Sequence, residues 1–134
     1  MLTGPNVILV LKVAVAAVTA ILAVSLTCAA LGKYRLHGRL NMVFFALTMA
    51  AVIGLEVVIR FVDPHLFDYF DDATRRTMAV HLSFSVPSTL LMPLMLLTGL
   101  RHRRTLHVGI GVAFLTCWTG TFVTGIFFLP HTGP

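Results

Sequence analysis

Charged side chains are scarce in this sequence, and their scarcity excludes an ordinary water-soluble domain. Only 11% of the 134 residues are charged, whereas 57% are hydrophobic and the mean hydropathy is +0.93. In a typical soluble domain about a quarter of the residues are charged. The composition therefore predicts an integral membrane protein.

The sequence has only two cysteines and no basic cluster at its N-terminus, and each of these features argues against a class of protein. The two cysteines, Cys28 and Cys117, fall at different depths of the predicted helices and away from the oxidising side, so we expect no disulfide. No basic residue precedes the first apolar run, and that run is longer than the core of a secretory signal peptide. We therefore expect the first helix to be retained.

Long apolar runs are what the sequence has instead. A helix needs about 20 mostly apolar residues to cross a bilayer. Four segments qualify, and they are residues 6–31, 36–59, 77–100 and 105–129. Because these segments use most of the chain, we expect one all-α domain over residues 1–134, an integral membrane bundle of four transmembrane helices.

The distribution of charge in the loops predicts the orientation of this bundle. Two loops are basic and contain no acidic residue, and their cations are Lys33, Arg35, Arg39, Arg101, Arg103 and Arg104. The loop between the second and third helices instead carries Asp63, Asp68, Asp71 and Asp72. The positive-inside rule places the basic loops in the cytoplasm of a bacterial cell, with both termini and the acidic loop outside. The formal charge of +5 is then a collar at the lipid headgroups, and a nucleic-acid partner is not expected.

A polar stripe runs along the third predicted helix. His81, Ser85, Ser88, Met92 and Met95 follow one another at spacings of four and three residues, which places them on one side of a helix. Inside a membrane a polar stripe faces the interior of the bundle. We therefore expect the His81 imidazole to face the other helices.

Helix direction brings several metal-ligand residues to the outer end of the bundle. Glu56 comes late in the second helix, His81 comes early in the third, His131 follows the fourth, and His65 lies in the acidic loop. Three imidazoles with an open position are typical of catalytic zinc, and copper or iron also accepts them. This pattern predicts a transition-metal site in which Glu56 is a fourth ligand or a base for a metal-bound water. The alternatives are that Glu56 pairs with Arg60 and that the loop histidines are solvated.

A second group of histidines lies at the inner end. His37 and His107 begin the second and fourth helices, and His102 is in the adjoining loop. The helical path from His37 to Glu56 is roughly 28 Å, so one ion does not reach both groups. Histidines among arginines at a headgroup boundary are most often interfacial. The alternative is a heme held by His37 and His107, which share one depth.

Several short motifs resemble a known membrane family. They are "HGRLNM" from His37, "HLSFSVP" from His81 after Arg75 and Arg76, and "HVGIG" from His107 followed by Trp118 and by "TG" at 124–125. The sequence resembles the four-helix bacterial membrane family known as domain-of-unknown-function family four-twenty, which includes CtaM-like factors for heme-copper oxidase assembly. The resemblance covers helices two to four. It implies functional roles for His37, His81 and His107, heme as a cofactor and respiratory oxidase subunits as partners.

Three functions therefore remain open from the sequence. The first is a small membrane metalloprotein or metalloenzyme with its metal at His81, His131, His65 and Glu56. The second is an oxidase-assembly or heme-handling protein that uses His37 and His107. The third is a structural subunit, a partner of lipid or of a second copy of itself, in which every histidine is hydrogen-bonded.

Overall fold

The chain folds into four long helices, as the sequence predicts. The computed structural model describes residues 2–132, and in this range the secondary structure is entirely helical apart from turns. The helices are α1 (Gly4–Ala30), α2 (Tyr34–Val57), α3 (Asp72–Leu100) and α4 (Arg104–Val123). Short π-helical segments extend α2 over Val58–Val62 and α4 over Thr124–Phe128. The prediction of an all-α four-helix bundle is confirmed.

Each helix is long and apolar enough to cross a bilayer. With their π-helical extensions the four spans contain between 25 and 29 residues. At about 1.5 Å per residue this length exceeds the roughly 30 Å hydrocarbon core. The protein is therefore a multi-pass membrane protein. We call the end with the turns at 31–33 and 101–103 the basic end, and the end with the loop at 63–71 the acidic end.

The third helix begins earlier than the apolar pattern predicts. It starts at Asp72, because Asp71 caps it by accepting a hydrogen bond from Thr74 N at 2.8 Å. This polar first turn precedes the apolar span that begins near residue 77. It belongs to the acidic end and turns the chain from the loop into the membrane.

The bundle consists of two helical hairpins with the same construction. α1 packs mainly on α2 and α3 mainly on α4, whereas α2 and α3 touch little. Adding 70 to a residue number in the first hairpin gives the equivalent residue of the second, so Cys28 corresponds to Thr98 and Lys33 to Arg103. Lys33 N donates to Cys28 O at 2.8 Å, and Arg103 N donates to Thr98 O at 3.0 Å. The turn at the basic end is therefore built in the same way in both hairpins.

Equivalent residues of the two hairpins meet at the centre of the bundle. Phe44 contacts Phe114 with ring centroids 6.0 Å apart, and His37 contacts His107 with ring centroids 6.3 Å apart. Equivalent residues contact each other where an approximate two-fold axis passes between them. Since α2 and α4 run in the same direction, this axis lies along the bundle. It passes through both the aromatic core and the histidine pair.

Candidate functional site

His81 is held inside the bundle near the acidic end. Its Nδ1 is 2.9 Å from Thr124 Oγ1, and that hydroxyl donates to Gly120 O at 2.7 Å. The hydroxyl therefore accepts from the His81 Nδ1–H, and the Nε2 atom keeps its lone pair. Its ring also packs against Gly125, where an added Cβ would lie 3.0 Å from the ring. The inward orientation predicted for this imidazole is confirmed.

The other three predicted metal ligands have their own partners. Glu56 Oε2 is 2.7 Å from Arg60 Nε, and both side chains are more than half exposed. His65 Nδ1 is 2.7 Å from an Asp68 carboxylate oxygen, again on the surface. His131 Nδ1 lies 3.1 Å from the Lys12 ammonium.

The structure does not bring these predicted ligands together with His81. Within residues 2–132 no three His, Cys, Asp or Glu side chains form a group that would hold a metal ion. A metal at the acidic end stays a prediction of the sequence, and the arrangement of the described side chains does not add to it.

The histidine pair at the basic end, by contrast, is assembled. His37 on α2 and His107 on α4 have ring centroids 6.3 Å apart and ring planes at 81°. The two imidazoles meet edge-on at the two-fold axis, and each is half-buried. Their equal depth follows from the parallel directions of α2 and α4. Among residues 2–132 the pair is the one place where two site residues predicted from different helices come together.

Each imidazole of this pair is fixed by a backbone carbonyl of the preceding helix. His37 Nδ1 is 2.9 Å from Ser25 O, and His107 Nδ1 is 2.9 Å from Met95 O. A carbonyl oxygen only accepts, so each Nδ1 carries the proton and each Nε2 carries the lone pair. Metal-binding histidines are commonly held in this tautomer by a carbonyl partner.

The Nε2 lone pair of His37 already accepts a hydrogen bond within the protein, from the side-chain amide of Asn41. Asn41 Nδ2 is 3.2 Å from His37 Nε2, and Asn41 Oδ1 accepts from the fully buried Ser25 hydroxyl at 2.7 Å. The corresponding Nε2 of His107 makes no hydrogen bond within residues 2–132. A metal between the rings would therefore replace one amide hydrogen bond.

Basic residues lie at the same end of the bundle as the histidine pair. Exposed arginines flank it on both hairpins, and they are Arg35, Arg39, Arg103 and Arg104. No acidic residue lies in either turn at the basic end. The site therefore attracts a ligand that carries its own negative charge and disfavours a bare cation.

A cavity of about 920 Å³ opens at the other end of the molecule, between α2 and α3. Its lining is mostly aliphatic and is contributed by all four helices. His81, Ser85 and Thr89 line it from α3, and Thr48 lines it from α2. This space would accommodate a molecule of lipid size.

Sequence reasoning located the paired histidines but missed the groups that orient them. Asn41, one turn after His37, was a visible signal, whereas the carbonyls of Ser25 and Met95 carry none. The sequence also does not reveal that the Thr48 hydroxyl is unpaired, because one threonine in an apolar helix has no distinguishing pattern. Family models, curated proteins and solved structures provide no match to this chain.

Proposed function

We propose that this protein binds heme at the basic end, with His37 and His107 as axial ligands of one iron, and handles heme during the assembly of a membrane oxidase. The observation that carries the proposal is the pair of imidazoles from two helices, whose ring centroids lie 6.3 Å apart and whose Nδ1–H groups are both held by backbone carbonyls. The oxidase as partner rests on the resemblance to oxidase-assembly factors.

The separation of the two rings matches coordination from opposite sides of one metal. A metal–nitrogen bond of about 2 Å on each side, with about 1 Å from each nitrogen to its ring centre, separates the centroids by roughly 6 Å. The observed value is 6.3 Å. The ring spacing would therefore leave room for one metal atom held by both imidazoles.

The charge around the pair distinguishes heme from a bare metal ion. A divalent cation placed among the arginines of both turns would be repelled. A heme brings two carboxylates that can pair with those guanidinium groups, and such pairs are the stronger kind of hydrogen bond. The lack of acid in both turns at the basic end therefore supports heme.

The Asn41 amide indicates that binding is reversible. With no iron present, His37 Nε2 accepts from Asn41 Nδ2, so the imidazole is satisfied and does not need a metal to keep its place. A ligand must offset the loss of that hydrogen bond, about 1 kcal/mol. Moderate affinity is useful in a protein that receives a cofactor and passes it on.

The orientation in the membrane places this site on the cytoplasmic side. The positive-inside rule applied to the two short basic turns puts the histidine pair at the inner leaflet of the bacterial inner membrane, with both termini outside. Heme would then be received and released at the cytoplasmic headgroup region. This orientation is part of the proposal.

An absorption spectrum of the purified protein tests the proposal. Protein made in heme-sufficient cells should show a Soret band and the sharp reduced band of a six-coordinate heme, with about one heme per chain. His37→Gln and His107→Gln should each lose the six-coordinate spectrum, because one axial ligand is gone. His102→Asn is the matched control and should keep it, since His102 is exposed at the same end.

The outcomes against the proposal are specific. A preparation that contains stoichiometric non-heme metal, lost in His81→Ala and kept in His37→Gln, would support the metal site predicted at the acidic end. A preparation with neither heme nor metal after reconstitution would leave a structural subunit. A spectrum unchanged by both glutamine variants would place the heme elsewhere.

A further inference from the structure

We propose that the cavity between α2 and α3 binds the ring of an isoprenoid quinone, a flat oxygen-bearing ring on an apolar tail. The proposal is independent of heme binding, because the cavity lies toward the acidic end and shares no side chain with the histidine pair. It rests on a break in the symmetry of the two hairpins and on one buried hydroxyl.

The break in symmetry concerns a tryptophan and a threonine. The Trp118 indole N–H donates to Thr19 Oγ1 at 3.1 Å, which joins α4 to α1 and fills the space between them. The shift that relates the hairpins takes Thr48 to Trp118 and Thr19 to Thr89. On the α2–α3 side a small threonine therefore stands where the other side has an indole. The space that an indole would occupy there is part of the cavity.

The Thr48 hydroxyl lacks the partner that every comparable group has. It is buried, with the residue 7% exposed, and Oγ1 makes no hydrogen bond within residues 2–132. The other buried hydroxyls of the described helices all bond to a protein atom, and these are Ser25, Ser88, Thr98, Thr121 and Thr124. A buried polar group without a partner is rare in proteins. Because Thr48 lines the cavity, a ligand oxygen there would satisfy it.

Polar groups on α3 face the same space. His81, Ser85 and Thr89 are one turn apart and all line the cavity. Thr89 Oγ1 donates to Ser85 O at 2.9 Å and can still accept a hydrogen bond, as can His81 Nε2. The Thr48 hydroxyl can donate to a ring carbonyl, and these acceptors can receive a ring hydroxyl. The cavity thus suits both the quinone and the quinol form.

The exit from the cavity suits an apolar tail. Leu47 on α2 and Leu82, Val86 and Leu90 on α3 line the cavity and are each about half exposed or more. They mark an opening between two helices that touch little, and this opening faces the surrounding lipid. A ring could enter from the bilayer while its tail stays in the hydrocarbon.

A phospholipid headgroup fits this cavity less well than a neutral ring. The two cations in the lining already donate to backbone carbonyls, Lys12 Nζ to Ile126 O at 2.8 Å and Arg75 Nε to Phe70 O at 3.2 Å. The carboxylates of Glu56 and Asp68 lie in the same lining and oppose a phosphate. The two cationic and two anionic side chains of the lining balance each other, and a neutral ligand does not disturb this balance.

Tryptophan fluorescence reports directly on this cavity. Trp118 is the single tryptophan and lines the cavity, and a quinone ring nearby quenches indole emission. Titration of the full-length protein in detergent with a decyl benzoquinone should give saturable quenching. Thr48→Val keeps the shape and removes the hydroxyl, so the dissociation constant should rise roughly ten-fold, the effect of one hydrogen bond. Thr116→Val is the matched control and should change nothing, because that exposed hydroxyl bonds to Val112 O.

A second variant restores the symmetry. Thr48→Trp places in the cavity, at the position of the unpaired hydroxyl, the side chain that the other hairpin accommodates at the equivalent position. The protein should therefore fold, keep its helical circular dichroism and lose bound quinone in solvent extracts. Quinone retained by Thr48→Trp, or equal affinity in Thr48→Val, would overturn the proposal. So would equal competition by decanol, which has a tail and no ring, because the cavity would then be a general lipid site.

Discussion

At the scale of the residue, the histidines differ in what their Nδ1 atoms bond to. His37 and His107 donate Nδ1–H to backbone carbonyls, whereas His65 and His131 bond to charged side chains of the acidic end. The sequence predicted the shared depth of the pair, because depth follows from helix direction alone. It did not predict which nitrogen stays free, because that depends on carbonyls whose positions no side chain reveals.

The proposed heme site gives a residue-scale prediction, because the Asn41 amide would compete with iron for His37. Asn41→Ala removes the amide that occupies the Nε2 lone pair, so heme should bind more tightly, by about five- to ten-fold for one hydrogen bond. Transfer of heme to excess apomyoglobin should be correspondingly slower, and stopped-flow absorbance measures it. Asn41→Gln moves the amide and is the comparison. Faster transfer from Asn41→Ala would mean that the amide supports the bound heme instead of competing with it.

At the scale of the element, the sequence predicted helix interiors better than helix ends. Twenty apolar residues specify a transmembrane helix because unpaired backbone groups are too costly in hydrocarbon. The start of α3 at Asp72 depends instead on the Asp71 cap, which lies in a loop dense with aspartates that all resemble caps. The path of the loop decides which aspartate caps the helix, and the pattern of hydrophobic residues does not predict that path.

The Asp71 cap predicts a local dependence on pH. Its hydrogen bond from Thr74 holds the pKa of the Asp71 carboxyl below its usual range. A lowered folded-state pKa means that the cap stabilises α3 at neutral pH and that this contribution is lost as the pH falls through that pKa. Hydrogen exchange at Thr74, corrected for its intrinsic rate, should therefore accelerate in acid. Asp71→Asn also caps but does not titrate, and its protection should be independent of pH over that range.

Gly120 allows α3 and α4 to pack closely. An added Cβ at Gly120 would collide with the Phe84 ring, whereas an added Cβ at Gly109 on the same helix meets nothing within 4 Å. Gly120→Ala should destabilise the bundle by about 1–3 kcal/mol through overpacking. Gly109→Ala should be neutral or slightly stabilising, because alanine favours helix. Thermal unfolding in one detergent compares the two, and equal midpoints would show that Phe84 moves aside freely.

At the scale of the whole molecule, the two-fold relation of the hairpins was hidden in the sequence. Equivalent positions share identity at His37 and His107 and at Phe44 and Phe114, but most lipid-facing positions are interchangeable aliphatic residues. The relation becomes visible through contacts, since the symmetry axis passes through both of these pairs. Because this relation makes Thr48 and Trp118 equivalent positions, the difference between their side chains shows where the two hairpins depart from symmetry.

Parallel hairpins must enter the membrane with the same orientation, and this gives a prediction for the whole molecule. The turns at 31–33 and 101–103 lie at one end and the loop at 63–71 lies at the other. In a chain with Cys28 and Cys117 replaced by serine, Lys33→Cys and Arg101→Cys should resist a membrane-impermeant maleimide added to intact spheroplasts. His65→Cys should react, because His65 is exposed and the positive-inside rule predicts that the acidic end faces outward. After lysis all three should react, which controls for accessibility. Labelling of Lys33→Cys before lysis would reverse the orientation and move the histidine pair to the outer leaflet.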